Sequence, residues 1–446
     1  MKSFAMRKMK GAASPHIKGA FGKHSASSAA LNSPRHGGAM HSAATPQLFI
    51  RRIAASLIAA IGAALPAFAG TPAAPWRQAA FAADLYRHAA TEAGKEANVV
   101  VSPWGVASLF AMLQTGARGD TARGMAFALQ LGGAEPPAPN EVANTFSEAR
   151  TALSRAARED VALELSDSLW IKPGFAVSES FRARAHDAFG AETRLTQMGD
   201  RGREAINEYV SEKTHGRIPG LLNPPDPLPS TRMVAVDTIY LKAKWASPFE
   251  KDLTRDQTFH APNGEVKTPF LHATRHAEIL DAPECAALRL PYRGGTLEML
   301  VLLPSPSNTL ADVESRLGRP YLDSLAAHSW RGRARIALPK FEFDSCHDLK
   351  PILEPMGMAA AFDRTRADFS GIAPSLFIDA ALQKANITVD EDGTEAAAAT
   401  VAIMRATSIG PREDPPRPFV ADRPFIFIIR ETRTGLILFL GRVTKP

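Results

Sequence analysis

The chain has 446 residues, 45% of them apolar, which is ample for a large core. Its formal charge of +6 is no nucleic-acid footprint: residues 1–52 hold nine Lys or Arg and no acid, and without those nine the balance falls from +6 to −3. Two cysteines, Cys285 and Cys346, are too few for a disulfide framework and fit no zinc spacing; in an exported protein they could pair or stay free.

Residues 51–70, RRIAASLIAAIGAALPAFAG, read as a secretory signal. Arg51 and Arg52 supply the charge, and Ile53 to Leu65 form an apolar stretch too short to span a bilayer. Ala67-Phe68-Ala69 is a small-x-small cleavage site. The expectation is therefore a secreted product, extracellular or periplasmic, cut near Ala69, with no stable membrane insertion. Translation from Met40 would give this signal an ordinary length. Residues 1–69 are then extension and signal, and 70–446 one folded domain.

From about Pro75 helical and strand patterns alternate without internal repeats. FAADLYRHAATEA, 81–93, has apolar residues at helical spacing. SPWGVASLFAMLQTGARG, 102–119, opens with a serine cap and Pro103 at the first helical position, and Gly116 and Gly119 are placed to end it. REAINEYVSEKTHGRIPGLL is a further helix closed near Gly216. Strand patterns follow at MVAVDTIYLKAKW (233–245), TLEMLVLLP (296–304) and FIDAALQKANITVD (377–390). PFIFIIRETRTGLILFLGRV, 424–443, reads as a hairpin turned at Thr434-Gly435. Helices come mostly first and strands mostly last, an α+β pattern. By propensity alone, DEDGTEAAAATVAIMRATS at 390–408 is a helix, yet the proline-rich IGPREDPPRPF after it looks like exposed loop.

Common catalytic signatures are missing: no GxSxG, HExxH, P-loop or GxGxxG occurs, so no catalytic residue is assigned. His272 and His276 stand four apart, but TPFLHATRHAEIL reads as strand and turn, which favours a surface pair over a metal site. Asn386-Ile387-Thr388 matches a glycosylation acceptor inside a strand pattern.

Several ordered motifs carry a resemblance. NVVVSPWGVASLFAMLQTGARGDT, NEYVSEKTHGRI, VDTIYLKAKWASPFE, LPYRGGTLEMLVLLP, LPKFEFDSCHDLKPILEPMGMAAAF, ADFSGIA and FVADRPFIFIIRETRTGLILFLGRV follow one another as in the serpin family. The resemblance spans roughly Trp76 to Pro446. It implies an α+β fold of three β-sheets with eight to nine surrounding helices and an exposed reactive loop, here about 391–418. It implies an irreversible suicide-substrate inhibitor of serine, or in some members cysteine, endopeptidases. The protease attacks the loop and forms an acyl-enzyme; the cut loop then enters the main sheet and the trapped enzyme cannot deacylate. The alternative is a non-inhibitory member acting as a binding or carrier protein.

The hinge of such a loop resembles Glu391-Asp392-Gly393-Thr394-Glu395-Ala396-Ala397-Ala398-Ala399-Thr400. A strand entering a packed sheet must turn small side chains inward, and alternate positions Thr394, Ala396, Ala398, Thr400 and Ala402 are all small. Gly393 would let the chain bend where entry begins. Counting from the hinge as in the family puts the scissile bond between Thr407 and Ser408, which suits an elastase-like protease; Arg405 is the runner-up and would suit a trypsin-like one. Met404 and Arg412 are further candidates.

The resemblance places Trp245 at the top of the main sheet, the breach, and Ser102 and Pro103 in the shutter beneath it. Three shutter positions depart from the family: Gly105 for a serine, Asp237 for an asparagine and Gln383 for a histidine. A buried Asp237 needs donors or a raised pKa, and the Gln383 amide is the expected donor. No heparin-like cofactor, no other cofactor and no metal is predicted, and the protein is expected to be a monomer.

Overall fold

A computed structural model describes residues 78–446 apart from 134, 158–159 and 395–413. The signal-like segment, Glu395 to Thr400, and the bond candidates Met404, Arg405, Thr407, Ser408 and Arg412 lie outside the described residues.

The first third is helical: α1 (Gln78–Ala93), α2 (Pro103–Gln114), α3 (Gly119–Ala128) and α4 (Pro139–Ser154), with β1 (Val99–Val101) between α1 and α2. Every residue of α2 is buried, as its all-round apolar sequence requires. Ser102 caps it, its Oγ accepting the Gly105 N–H at 3.2 Å, and Pro103 takes the first helical position. Of the two glycines expected to close α2, only Gly116 does so, its N–H reaching Leu113 O at 3.0 Å. Gly119 instead opens α3, at φ +52°.

Next come β2 (Val161–Ile171), α5 (Glu179–Phe189), β3 (Glu192–Leu195), α6 (Asp200–Lys213) and β4 (Met233–Lys244). Strands β5 (Arg255–Ala261), β6 (Gly264–Asp281), β7 (Cys285–Pro291) and β8 (Leu297–Pro304) follow. Two short helices, α7 (Leu310–Arg316) and α8 (Arg319–Ala326), precede β9 (Ser329–Pro339) and β10 (Phe341–Asp348). The chain ends with β11 (Leu382–Val389), β12 (Gly393–Thr394), β13 (Arg417–Val420), β14 (Phe425–Glu431) and β15 (Ile437–Val443). The expected strand at 377–390 begins five residues late, at Leu382. The expected hairpin turns at Gly435, whose φ of +76° suits a residue without a side chain.

Hydrogen bonds join these strands into a nine-stranded and a six-stranded sheet. The nine-stranded sheet runs β1-β15-β14-β8-β7-β6-β9-β13, with β5 on β6. The 18-residue β6 pairs with β5 at its start and β7 at its end, so it links two groups of strands that the resemblance counts as separate sheets. The six-stranded sheet runs β10-β11-β12-β4-β2-β3. Its backbone is the eleven-residue antiparallel ladder from Val161↔Ala243 to Ile171↔Met233. Strands β8 and β15 are buried along their whole length and form the floor of the core.

Candidate functional site

The centre of the six-stranded sheet carries an interruption. Strand β11 alternates faces, with Gln383, Ala385, Ile387 and Val389 buried. It then turns through Asp390–Gly393, where Asp390 Oδ1 accepts the N–H groups of Asp392 (2.9 Å) and Gly393 (3.1 Å). The two residues of β12 wedge between neighbours: Thr394 pairs with Val389 of β11 and Ala243 of β4, and Gly393 with Lys244. A Cβ on Gly393 would lie 2.0 Å from the Ala243 carbonyl oxygen. The glycine is thus required here by close backbone approach.

Side chains fix this turn from several elements. Thr394 is 3% exposed and its Oγ1 lies 2.6 Å from Tyr292 Oη. Tyr292 stacks on Trp245 at 4.6 Å between ring centroids. Trp245 donates its ring N–H to Asp390 O (3.0 Å) and its backbone N–H to Asp392 O (2.9 Å), and Phe249 N–H reaches Glu391 O (2.8 Å). Glu391 is buried and accepts from Lys340 Nζ and Thr254 Oγ1, each at 2.8 Å. Burial opposes its charge, but those hydrogen bonds outweigh it and hold the carboxyl below its ordinary range. Burial pushes the neighbouring Asp390 carboxyl up. Lys251 pairs with Asp392 at 3.0 Å.

Beyond Thr394 the edges of β4 and β11 have no strand between them and no ladder to each other among the described residues. A cavity of about 720 Å³ opens at the far end, bounded by Val234 and Val236 of β4, Ala381, Leu382, and Leu109 and Leu113 of α2. Unpaired central edges are costly in a sheet, because each exposes a row of backbone donors and acceptors.

The polar cluster under this gap differs from the sequence expectation. Gln383 does not reach Asp237; it clamps Ser102 instead, accepting its N–H (3.0 Å) and donating to its carbonyl (2.9 Å). A side-chain amide offers both functions at that spacing without titrating. Asp237 lies across from Asp167 in the β2–β4 ladder. Ser108 Oγ donates to Asp167 Oδ2 at 2.9 Å. Burial drives both acids up, Asp167 to about 6 and Asp237 well above the ordinary range, where the Asp167 charge raises it further. The two carboxyls face one another across the ladder, and their charges oppose joint ionisation. Gly105 makes the room, since a Cβ there would sit 2.0 Å from Asp237 Oδ2. Beside Gln383 in the β10–β11 register stands buried His347, whose Nε2 lies 2.9 Å from Val100 O.

The fold gathers Trp245, Ser102, Pro103, Asp237, Gln383, Glu391, Gly393 and Thr394 into two clusters along one sheet. Asp167, Ser108, Tyr292, Lys340, Thr254 and His347, which the sequence did not single out, complete them. Cys285 is buried and Cys346 exposed, and both are free. His272 and His276 lie on β6, and no group of three metal-ligating side chains occurs among the described residues.

Comparison with known proteins covers the same region. A family model described as Serpin (serine protease inhibitor) matches residues 77–446. An uncharacterized serpin-like protein of Thermococcus kodakarensis is 35% identical over 372 residues, 82% of this chain and 84% of its own. Leukocyte elastase inhibitor of Sus scrofa is 31% identical over 380 residues, 82% of this chain and 97% of its own. Among solved structures, human thyroxine-binding globulin complexed with thyroxine aligns at TM-score 0.74 and 27% identity, over 83% of this chain and 98% of the other.

Proposed function

The chain belongs to the serpin family, and from that premise we propose that it is an irreversible suicide-substrate inhibitor of serine endopeptidases. The observation that carries this reading is the seat of β12: two residues of strand occupy the top of a gap between β11 and β4 whose edges are otherwise unpaired among the described residues. Continuing that register, Ala396, Ala398 and Thr400 would follow Thr394 on the inward face, Thr400 opposite Asp237 and Gln383. None of these side chains has the bulk or charge that would stop entry. A cut loop would gain two hydrogen-bonded ladders, and the tethered acyl-enzyme would be carried along and distorted before water could release it. The distal root of the loop is separately held: Arg417 makes a bidentate pair with Asp281 (2.6 and 2.8 Å) and lies over Trp330.

The elastase-like target rests on the uncharged Thr407-Ser408 bond; a relative named leukocyte elastase inhibitor is in keeping with it. We further propose export after cleavage near Ala69. The test is incubation with elastase-like and trypsin-like serine proteases, followed by denaturing electrophoresis and sequencing of the released fragment. A stable covalent complex with cleavage after Thr407 is expected; cleavage after Arg405 would move the target to the trypsin-like class. Complete digestion of the loop by every protease without any complex would favour the carrier reading.

A further inference from the structure

Strand β9 carries a row of positive charge. Its sequence SWRGRARIALP puts Arg331, Arg333 and Arg335 at alternate positions, so one face presents all three, and all three are exposed. The register continues that face onto both neighbouring strands. On β6, Glu278, His276 and Thr274 stand opposite Arg331, Arg333 and Arg335, and on β13 Pro418 stands opposite Arg335. His276, Thr274 and Pro418 are exposed as well.

Acids do not balance the row. Glu278 is the one carboxylate among these opposed residues, and it accepts from Arg289 and Ser329 as well as from Arg331. Asp281, the next acid along β6, is taken by Arg417. Arg335 makes no ion pair or hydrogen bond among the described residues. Guanidinium groups about 7 Å apart on one face repel, and a counter-charge from outside would relieve them. The row stands at the foot of the reactive loop: Arg333 and Arg335 flank Ala334, which pairs with Arg417, the first residue of β13. Thr407 precedes Arg417 by ten residues. That is at most about 35 Å of extended chain, and a domain of some 200 residues is about 40 Å across, so a protease gripping the loop reaches this face.

We propose that Arg333 and Arg335, with Arg331 beside them, are an accessory docking surface for acidic side chains on the rim of the attacking protease, and that they select, among elastase-like enzymes, those whose rim is acidic. The proposal rests on the reading that proteases attack this loop. Exposed charges of this kind act on the encounter: they steer an oppositely charged partner and raise its association rate, and salt screens them beyond about 10 Å at 0.1 M. Planar guanidinium forks then hold carboxylates in a fixed register. The row belongs to the nine-stranded sheet, whereas the gap between β4 and β11 belongs to the other. It therefore sets how fast a protease is caught and leaves unchanged the fraction of caught enzyme that is trapped.

The test compares the full chain with Arg333→Ser/Arg335→Ser and with Arg335→Glu against two elastase-like proteases, one of acidic and one of basic isoelectric point. The second-order rate of loop attack is measured at low and at about 0.5 M sodium chloride, together with the stoichiometry of inhibition and the thermal midpoint. With the acidic enzyme the parent should react faster at low salt than at high. The double variant should be about tenfold slower at low salt and nearly insensitive to salt, and Arg335→Glu slower still, with stoichiometry unchanged. Arg335→Glu decides alone if the double variant's midpoint falls. Equal rates for parent and variants at low salt with the acidic enzyme would overturn the proposal, as would a deficit that is the same at both salt concentrations or a variant that loses stoichiometry and keeps its rate. Loop cleavage is read even where no complex forms. Salt-steered cleavage without any complex would thus refute the trapping reading while the docking surface stands.

Discussion

A methyl group at position 105 would lie 2.0 Å from an oxygen of Asp237, so the missing side chain and the acid belong to one arrangement. Gly105→Ser should cost about 1–3 kcal/mol by overpacking. Asp237→Ala in the same chain should recover most of that, and a double-mutant cycle on thermal midpoints reads the coupling; strictly additive effects would separate the two positions. The acid pair also sets a pH dependence. Both carboxyls titrate above their unfolded range, Asp167 near 6, so the folded chain holds a proton that the unfolded chain releases. Their contribution is complete below about pH 4 and is lost as pH rises through about 6 and beyond. For Asp167 alone that loss is about 3 kcal/mol, at roughly 1.4 kcal/mol per pH unit. Asp237→Asn replaces one buried carboxyl with an amide that does not titrate, while Asp167 still loses its proton near 6. The variant's thermal midpoint should vary little between pH 6 and 8, where the parent's continues to fall, and exceed the parent's at pH 8; parallel profiles for parent and variant would show that Asp237 does not titrate in the folded chain.

At the scale of elements, the hinge turn is where strand chemistry decides the outcome of proteolysis. Thr394 sits beneath Tyr292 with its hydroxyl engaged, in a seat 3% exposed. Thr394→Arg puts a charge there with no partner, at a cost of several kcal/mol that entry of the strand would have to overcome. The expected result is a substrate in place of an inhibitor: the stoichiometry of inhibition rises at least tenfold while loop cleavage proceeds at the parent's rate, as titration against the protease would show. A variant that traps as well as the parent would mean that the rest of the strand can enter without Thr394 in its seat. Local pattern was enough to place these elements. Alternating burial marked β11, the β-branched run marked β4, and Ser102-Pro103 marked the start of α2. The partners were not legible in the same way. Tyr292 and Thr394 are separated by 102 positions, and Ser102 and Gln383 by 281, so no periodicity encodes either contact. The donor expected for Asp237 was misassigned for that reason: Gln383 faces the N-cap of α2, and the true neighbour, Asp167, comes from a strand whose own pattern shows nothing unusual.

For the molecule as a whole, ordered motifs rather than propensity made the architecture legible, because alanine-rich sequence alone argues for helix at the very segment that follows β12. What would favour strand there is tertiary: among the described residues the edges of β4 and β11 beyond Thr394 are unpaired, and no isolated segment can register that. The slot also makes a global prediction. A strand continuing from Thr394 could pair along β4, twelve residues long, and β11, eight residues long. If about ten new hydrogen bonds form at roughly 1 kcal/mol each, the gain is on the order of 10 kcal/mol. At about 2–4 °C per kcal/mol for a domain of this general size, cleavage of the loop should raise the thermal midpoint by some 20 °C or more. The measurement compares intact protein with protein cut by a protease that is not trapped, both fragments retained, under one buffer and one scan rate. Nicking an ordinary loop relaxes the chain and lowers or leaves the midpoint unchanged, since it adds conformational freedom to the unfolded state without adding contacts to the folded one. A cut chain no more heat-stable than the intact one would therefore mean that the slot stays empty, and with it the mechanism of trapping would fall while the fold and the family would stand.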